Sequence, residues 1–396
     1  MTGEPPVPLL FLIGDTGGGH RSAALAVGQY LERAYPGRFT PVICDPLRGP
    51  GAPRRLRWMV GLYGPAIRLT PWLWGWLWRG INSPRRLDWS RRILFGPANR
   101  TVARAVAAHQ PAAIVSFHAM TGAPAVRARD RDAPGVPVIT VITDLITTHL
   151  AWRDAIVDLI VVPTAPVGRS CAADGTPPER YVEIGLPVAA EFAAAPAAEA
   201  ERTALRRSLG LPGGRFLVVV TGGAEGSGGL YRRAAAILRH GGDVDVAVIC
   251  GRNRHLRRRL SRLTARSGGR LAVRGFVDNM ADWLRCADVV VGKAGPGTIA
   301  EAACCAAPLV LTSHLPGQEE GNAEFVVSAG AGCYAPRPRD LAAEIRRLHG
   351  DPALLARMRA AAAGLARPGA AAGVGALVAG LVVPAPAASP RLASGI

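Results

Sequence analysis

The apolar run Ala287-Asp288-Val289-Val290-Val291 leads straight into Gly292-Lys293-Ala294-Gly295-Pro296-Gly297-Thr298-Ile299-Ala300-Glu301, and then into Ala302-Ala303. A buried strand, a glycine turn and a helix start, in that order, restrict a chain to α/β architectures built on parallel strands. The first N–H groups of such a helix lack intrahelical partners and point the same way. With the helix dipole they form a site for phosphate oxygens. Glu301, four residues after Gly297, lies within reach of a ribose hydroxyl pair. Lys293 is the only lysine among 47 Lys and Arg residues, so the arginine bias of the chain spares one position, in this turn. Turns of this kind are common, and alone the segment suggests nucleotide binding without deciding it.

The alternation occurs twice. In the first half, strands are expected at 9–13, 40–44, 113–117, 136–143 and 159–164, with helices around 22–33, 99–108 and 121–129. The Ala/Glu/Pro segment 189–200 breaks the composition and reads as a linker. A second series follows, with strands at 216–221, 244–250, 271–274, 289–291 and 308–312 and an Arg-rich helix reaching about residue 266. The expectation is two Rossmann-like, doubly wound parallel-sheet domains facing a cleft, at 1–195 and 196–366. An Ala/Pro-rich tail, 367–396, would carry a last packing helix near 374–383.

Each first strand ends in a glycine loop. In the second half it is Thr221-Gly222-Gly223-Ala224-Glu225-Gly226, and in the first it is Gly14-Asp15-Thr16-Gly17-Gly18-Gly19-His20. Neither is the G-x-G-x-x-G dinucleotide fingerprint. Three glycines before a histidine let the backbone approach a ligand and aim an imidazole into the cleft from a helix N-terminus. That end of a helix disfavours the protonated ring, and a neutral histidine facing a sugar donor is what a general base requires. The plainer reading of His20 is a helix-capping residue.

Seven cysteines, odd in number and without metal-ligand spacing, indicate a reducing compartment with neither disulfides nor zinc. No uninterrupted apolar stretch of about 20 residues suggests a membrane span. The net charge of +18 calls for an anionic partner or reflects an arginine-rich composition. Between Arg48 and Arg100 there are eleven arginines against one acid, together with six of the eight tryptophans. Pro71-Trp72-Leu73-Trp74-Gly75-Trp76-Leu77-Trp78 is apolar on every face. Residues 54–92 therefore read first as a membrane-facing segment, then as a buried inter-helix core, and least as a nucleic-acid surface, for which no signature accompanies the aromatics.

Six ordered blocks resemble monogalactosyldiacylglycerol synthases. In the first half they are Gly14 to Arg21, Thr143-Asp144-Leu145 with His149 and Trp152, and Gly185-Leu186-Pro187-Val188. In the second they are Gly275-Phe276-Val277-Asp278-Asn279-Met280, Lys293 to Glu301, and Pro316-Gly317-Gln318-Glu319-Glu320-Gly321-Asn322. The wider group includes diacylglycerol glucosyltransferases and the peptidoglycan transferase MurG, all of the two-domain GT-B fold with inverting chemistry. The resemblance implies His20 as catalytic base and Asp144 as a residue orienting either His20 or the acceptor hydroxyl. It implies donor contacts from Gly19, Gly222, Gly223, Gly295, Gly297 and Thr298, uracil recognition by the backbone of Phe276 and Val277, and a ribose contact from Glu301. Gln318, Glu319 and Asn322 would hold the sugar hydroxyls. Gly17, Gly18, His149 and Trp152 fall on the acceptor side, with His149 equally readable as a structural hydrogen-bonding group.

The implied activity is transfer of galactose or glucose from a UDP-sugar to a lipid, most simply 1,2-diacylglycerol. It would need no metal or other cofactor and would take place peripherally at an anionic membrane surface on its cytoplasmic face. An N-acetylglucosaminyltransferase with a lipid or lipopolysaccharide acceptor is the rival within the class. A UDP-sugar 2-epimerase is the rival outside it, and would want carboxylates near the sugar instead of a Gly-rich histidine.

Overall fold

The structure is a computed structural model that describes residues 5–14, 18–93, 96–153, 156–194, 197–212 and 214–382, except the side chains of 67–69. Two six-stranded sheets are present, and every strand pairing in both is parallel. The first contains β1 (Val7–Leu12), β2 (Phe39–Cys44), β3 (Ala113–Ser116), β4 (Val138–Val141), β5 (Leu159–Val162) and β6 (Tyr181–Glu183), in the order β2-β1-β3-β4-β5-β6. The second contains β7 (Phe216–Thr221), β8 (Val244–Ile249), β9 (Leu271–Arg274), β10 (Val289–Lys293), β11 (Leu309–Ser313) and β12 (Gly332–Tyr334), in the order β12-β11-β10-β7-β8-β9. The central strands are continuous apolar runs because helices cover both faces, and Leu9 to Leu12 and Val218 to Val220 are fully or almost fully buried.

In each sheet the strand order reverses once, between β1 and β3 and between β7 and β10. At such a point the loops leaving adjacent strands diverge and open a crevice at the carboxyl edge. The His20 loop and the loop after β3 flank the first crevice. The Gly222 loop and the Lys293 turn flank the second.

Four short helices, Arg54–Gly61, Tyr63–Leu69, Pro71–Ile81 and Pro84–Ile93, lie between β2 and β3. They contain the tryptophan-rich stretch, and Pro71–Ile81 divides it by face. Trp72 and Trp76 are 69% and 68% exposed beside exposed Leu73 and Leu77, whereas Gly75 is buried and Trp78 is 8% exposed. The stretch expected to be apolar on every face thus has an exposed side and a buried side, with the 3.6-residue period of one helix.

The stretch Pro352–Val382 is long and apolar enough to cross a bilayer by composition. It breaks between helices Pro352–Leu365 and Ala370–Val382 at Arg367-Pro368-Gly369, since proline cannot continue a helix. The expected last helix is the second of these, and it packs on the first sheet. Val374, Val378 and Ala379 join the core of Leu9, Phe11 and Val27, and Gly375 lies against Tyr30.

Candidate active site

His20 occupies the first turn of helix Gly19–Ala34, which starts after Gly18 at φ 91°, a left-handed backbone that favours glycine. Its Nδ1 lies 2.7 Å from the hydroxyl of Thr143, two residues past β4. The ring of His118, in the loop after β3, stands edge-on to it with centroids 4.7 Å apart, and the Trp152 ring lies 5.8 Å away. The Nδ1 of His118 accepts from the Met120 N–H at 3.2 Å. Burial, with His20 alongside, holds His118 well below the usual histidine range, so it stays neutral. A β-carbon at Gly14 would come within 2.5 Å of that ring, so only glycine fits beneath it.

Asp144 does not reach His20. Its carboxylate accepts from Trp152 Nε1 at 2.5 Å and from Gln318 Nε2 of the other half at 3.0 Å. Burial pushes it up to about 6, against the pull of both donors and of Lys293. The group expected to orient His20 is therefore committed across the cleft, and Thr143 occupies that place. His149 is buried and inward. Its Nδ1 accepts from Ala151 N at 3.1 Å and its ring packs edge-on to Trp78. Burial first, then Arg91 and Arg153, lower it to about 4. Trp152 is buried, and its ring forms the floor under His20 and His118. Gly17 lies outside the described residues. Gly18 faces the opposite half, where a β-carbon on it would meet that of Ala224 at 3.7 Å.

On the donor side, the Gly222 loop closes on itself. A β-carbon at Gly222 would stand 2.1 Å from the Ser227 carbonyl oxygen, while Gly223, at φ 68°, opens onto free space. Helix Pro296–Cys304 begins at Gly295 and carries Gly297 and Thr298 in its first turn. Burial, and secondarily Glu191, pushes the Glu301 carboxyl up to about 7. Phe276 is exposed at the mouth, with the Arg252 guanidinium 4.9 Å above its ring.

The 315–322 loop differs from expectation. Glu319 is buried, pairs with Lys293 and accepts from Leu315 N at 2.9 Å. Asn322 is buried too and donates to the Ala294 carbonyl at 2.9 Å. These two side chains shape the loop from within, which leaves half-buried Gln318 as its polar group toward the cleft. Sequence reasoning also passed over Thr143 as a partner of His20, His118, and Tyr63, whose phenol is pushed up by burial and by nearby Glu319 and Asp144. A histidine just past a strand that neighbours β1 was the available signal for His118.

A family model described as monogalactosyldiacylglycerol (MGDG) synthase matches residues 20–188, and one described as glycosyltransferase family 28 C-terminal domain matches 217–372. A probable monogalactosyldiacylglycerol synthase from Glycine max is 32% identical over 379 residues, covering 93% of this chain and 70% of that protein. The monogalactosyldiacylglycerol synthase of Spinacia oleracea is 31% identical over 363 residues, covering 88% and 67%. Among solved structures, MurG of Acinetobacter baumannii aligns with a TM-score of 0.60 at 18% identity over 94% of this chain and 99% of its own. The UDP-GlcNAc 2-epimerase of Neisseria meningitidis, bound to UDP-GlcNAc, gives 0.60 at 11% identity over 94% and 100%. Transferase and epimerase match equally well, so the structural likeness concerns the fold alone.

Proposed function

Because this chain belongs to the monogalactosyldiacylglycerol synthase family, we propose that it moves a hexose from a UDP-sugar to 1,2-diacylglycerol with inversion, giving a β-glycosyl lipid. The observation that carries the reading is the meeting of His20, Thr143 and Asp144 with the Gln318 loop across the cleft. His20 takes the proton of the acceptor hydroxyl at Nε2, the nitrogen that Thr143 does not engage. The acceptor oxygen attacks the anomeric carbon as the bond from that carbon to the UDP oxygen breaks. UDP departs with the bonding pair toward the first turn of Pro296–Cys304 and the Gly222 loop, whose N–H groups meet the added charge.

We read the donor as bound without a divalent cation: the N–H groups of the Gly222 loop and of the start of Pro296–Cys304, with the Lys293 ammonium beside Gly295, would meet the charge of the diphosphate. The exposed face of Trp72, Leu73, Trp76 and Leu77, with Trp58, Trp89 and the surrounding arginines, supports peripheral attachment to an anionic bilayer. The seven free thiols suit its cytoplasmic side.

The deciding experiment offers the protein UDP-galactose, UDP-glucose and UDP-GlcNAc, each radiolabelled, with diacylglycerol in anionic vesicles, and determines the anomeric configuration of the product. A β-hexosyl diacylglycerol is expected. An α-linked product, or exclusive transfer of GlcNAc, would overturn the reading.

A further inference from the structure

Lys293 closes β10 at an irregularity. Gly292 pairs with Leu311 but Lys293 pairs with Ser313, so the register slips by one residue at the lysine itself. The extra residue is Thr312 of β11, and the bulge bends the ladder at the point where β10 ends in Lys293. Here the ammonium is brought back over the helix start, 3.3 Å from where a β-carbon on Gly295 would stand, and against Glu319 of the 315–322 loop. The side chain remains 33% exposed while Glu319 is almost fully enclosed. The ammonium therefore lies between the start of Pro296–Cys304 and the 315–322 loop. Arg233, the neighbouring cation, donates to the Thr312 carbonyl at 2.8 Å.

We propose that Lys293 is a catalytic residue, whose ammonium contacts the second phosphate of the nucleotide diphosphate and neutralises the charge gained as the sugar–oxygen bond breaks. The role rests on the donor reading above and adds a residue to it. Arginine is the commoner cation in this chain, but its planar fork would not fit between Gly295 and Glu319 as a compact three-donor ammonium does.

A structural alternative is that Lys293 only neutralises buried Glu319. Three variants separate the two: Lys293→Met, Glu319→Gln, and the double change, which leaves no unpaired carboxylate if the single lysine variant fails to fold. The double variant is expected to fold, to keep wild-type affinity for UMP, to bind UDP about tenfold more weakly, and to lose on the order of 10²–10³-fold in kcat. Added methylammonium should restore part of the loss. Recovery of the double variant to the kcat and UDP affinity of Glu319→Gln would overturn the proposal. If the wild type binds UDP but transfers no hexose to diacylglycerol, the acceptor reading fails while the UDP-against-UMP comparison still decides the role of Lys293.

Discussion

Gly75 and Pro316 are in direct contact, although 241 positions separate them in the chain. A β-carbon on Gly75 would stand 2.7 Å from the Pro316 β-carbon and 3.2 Å from its carbonyl oxygen. Next to this contact Trp78 covers Gly317, Arg79 pairs with Glu320, and the Gly321 N–H donates to the Thr147 hydroxyl at 3.0 Å. The inner face of the tryptophan helix is thus a seat for the 315–322 loop. Gly75→Val should push that loop away, since neither backbone nor proline ring can yield at such a distance. Calorimetry should show weaker binding of the UDP-sugar, by about tenfold, with vesicle attachment unchanged because the outer face is untouched. Unchanged donor affinity would mean that the seat has no influence on the site.

His20→Ala should lower kcat by on the order of 10²–10⁴-fold with UDP affinity nearly constant, because it removes a proton acceptor and no nucleotide contact. Thr143→Val should cost about tenfold, the worth of one hydrogen bond, with Thr143→Ser recovering most of it. A fully active His20→Ala enzyme would remove this histidine from the mechanism.

The two parallel sheets were legible in the sequence because burial on both faces writes strands as continuous apolar runs. Strands 216–221 and 271–274 coincide with β7 and β9 to the residue. The glycine loops were legible too, since their spacing is local. Contacts between distant segments were not. Nothing around Thr143 indicates that it sits 2.7 Å from a ring 123 positions earlier. Likewise, the acidic and amide residues of 318–322 look alike as sugar ligands until Glu319 meets Lys293 and Asn322 meets Ala294. The helix Ala370–Val382 is apolar on all sides, so its pattern gives no direction, and its return to the first sheet appears only in three dimensions.

Glu301→Ala should weaken UDP binding by about 1.5–3 kcal/mol, the scale of a hydrogen bond to a charged group. The carboxyl also predicts a pH effect on stability in the protein without ligand. It titrates near 7 when folded, against an ordinary value of 4.5, so the folded state holds its proton to higher pH. The stability it contributes is present below 4.5 and is lost as pH rises through 7. Glu301→Gln should therefore exceed the wild type by on the order of 1–3 kcal/mol at pH 8, with the gap closing toward pH 4.5. Thermal unfolding with a constant difference across that range would place the carboxyl in water.

Activity should survive EDTA if the leaving diphosphate is held by Lys293, the Gly222 loop and the start of Pro296–Cys304. A strict requirement for Mg²⁺ or Mn²⁺ in the transferase assay would contradict this.

Attachment to the bilayer should depend on four tryptophans selected by exposure, not by position in the motif. Trp58, Trp72, Trp76 and Trp89 are 71%, 69%, 68% and 55% exposed, whereas Trp78 lies under Gly317 and Trp74 packs edge-on to Tyr63 with centroids 4.8 Å apart. Changing the four outer indoles to serine removes apolar contact with the lipid and leaves the seat of the 315–322 loop intact. Arginines beside them add about 1 kcal/mol each at an anionic surface and lose part of that in salt. The quadruple variant should fail to float with anionic liposomes and still bind UDP with wild-type affinity. Changing Trp74 and Trp78 instead should harm donor binding and leave flotation in place. The reverse pattern, or flotation indifferent to both sets and to anionic lipid, would show that this helix does not meet the membrane and that the acceptor arrives by another route.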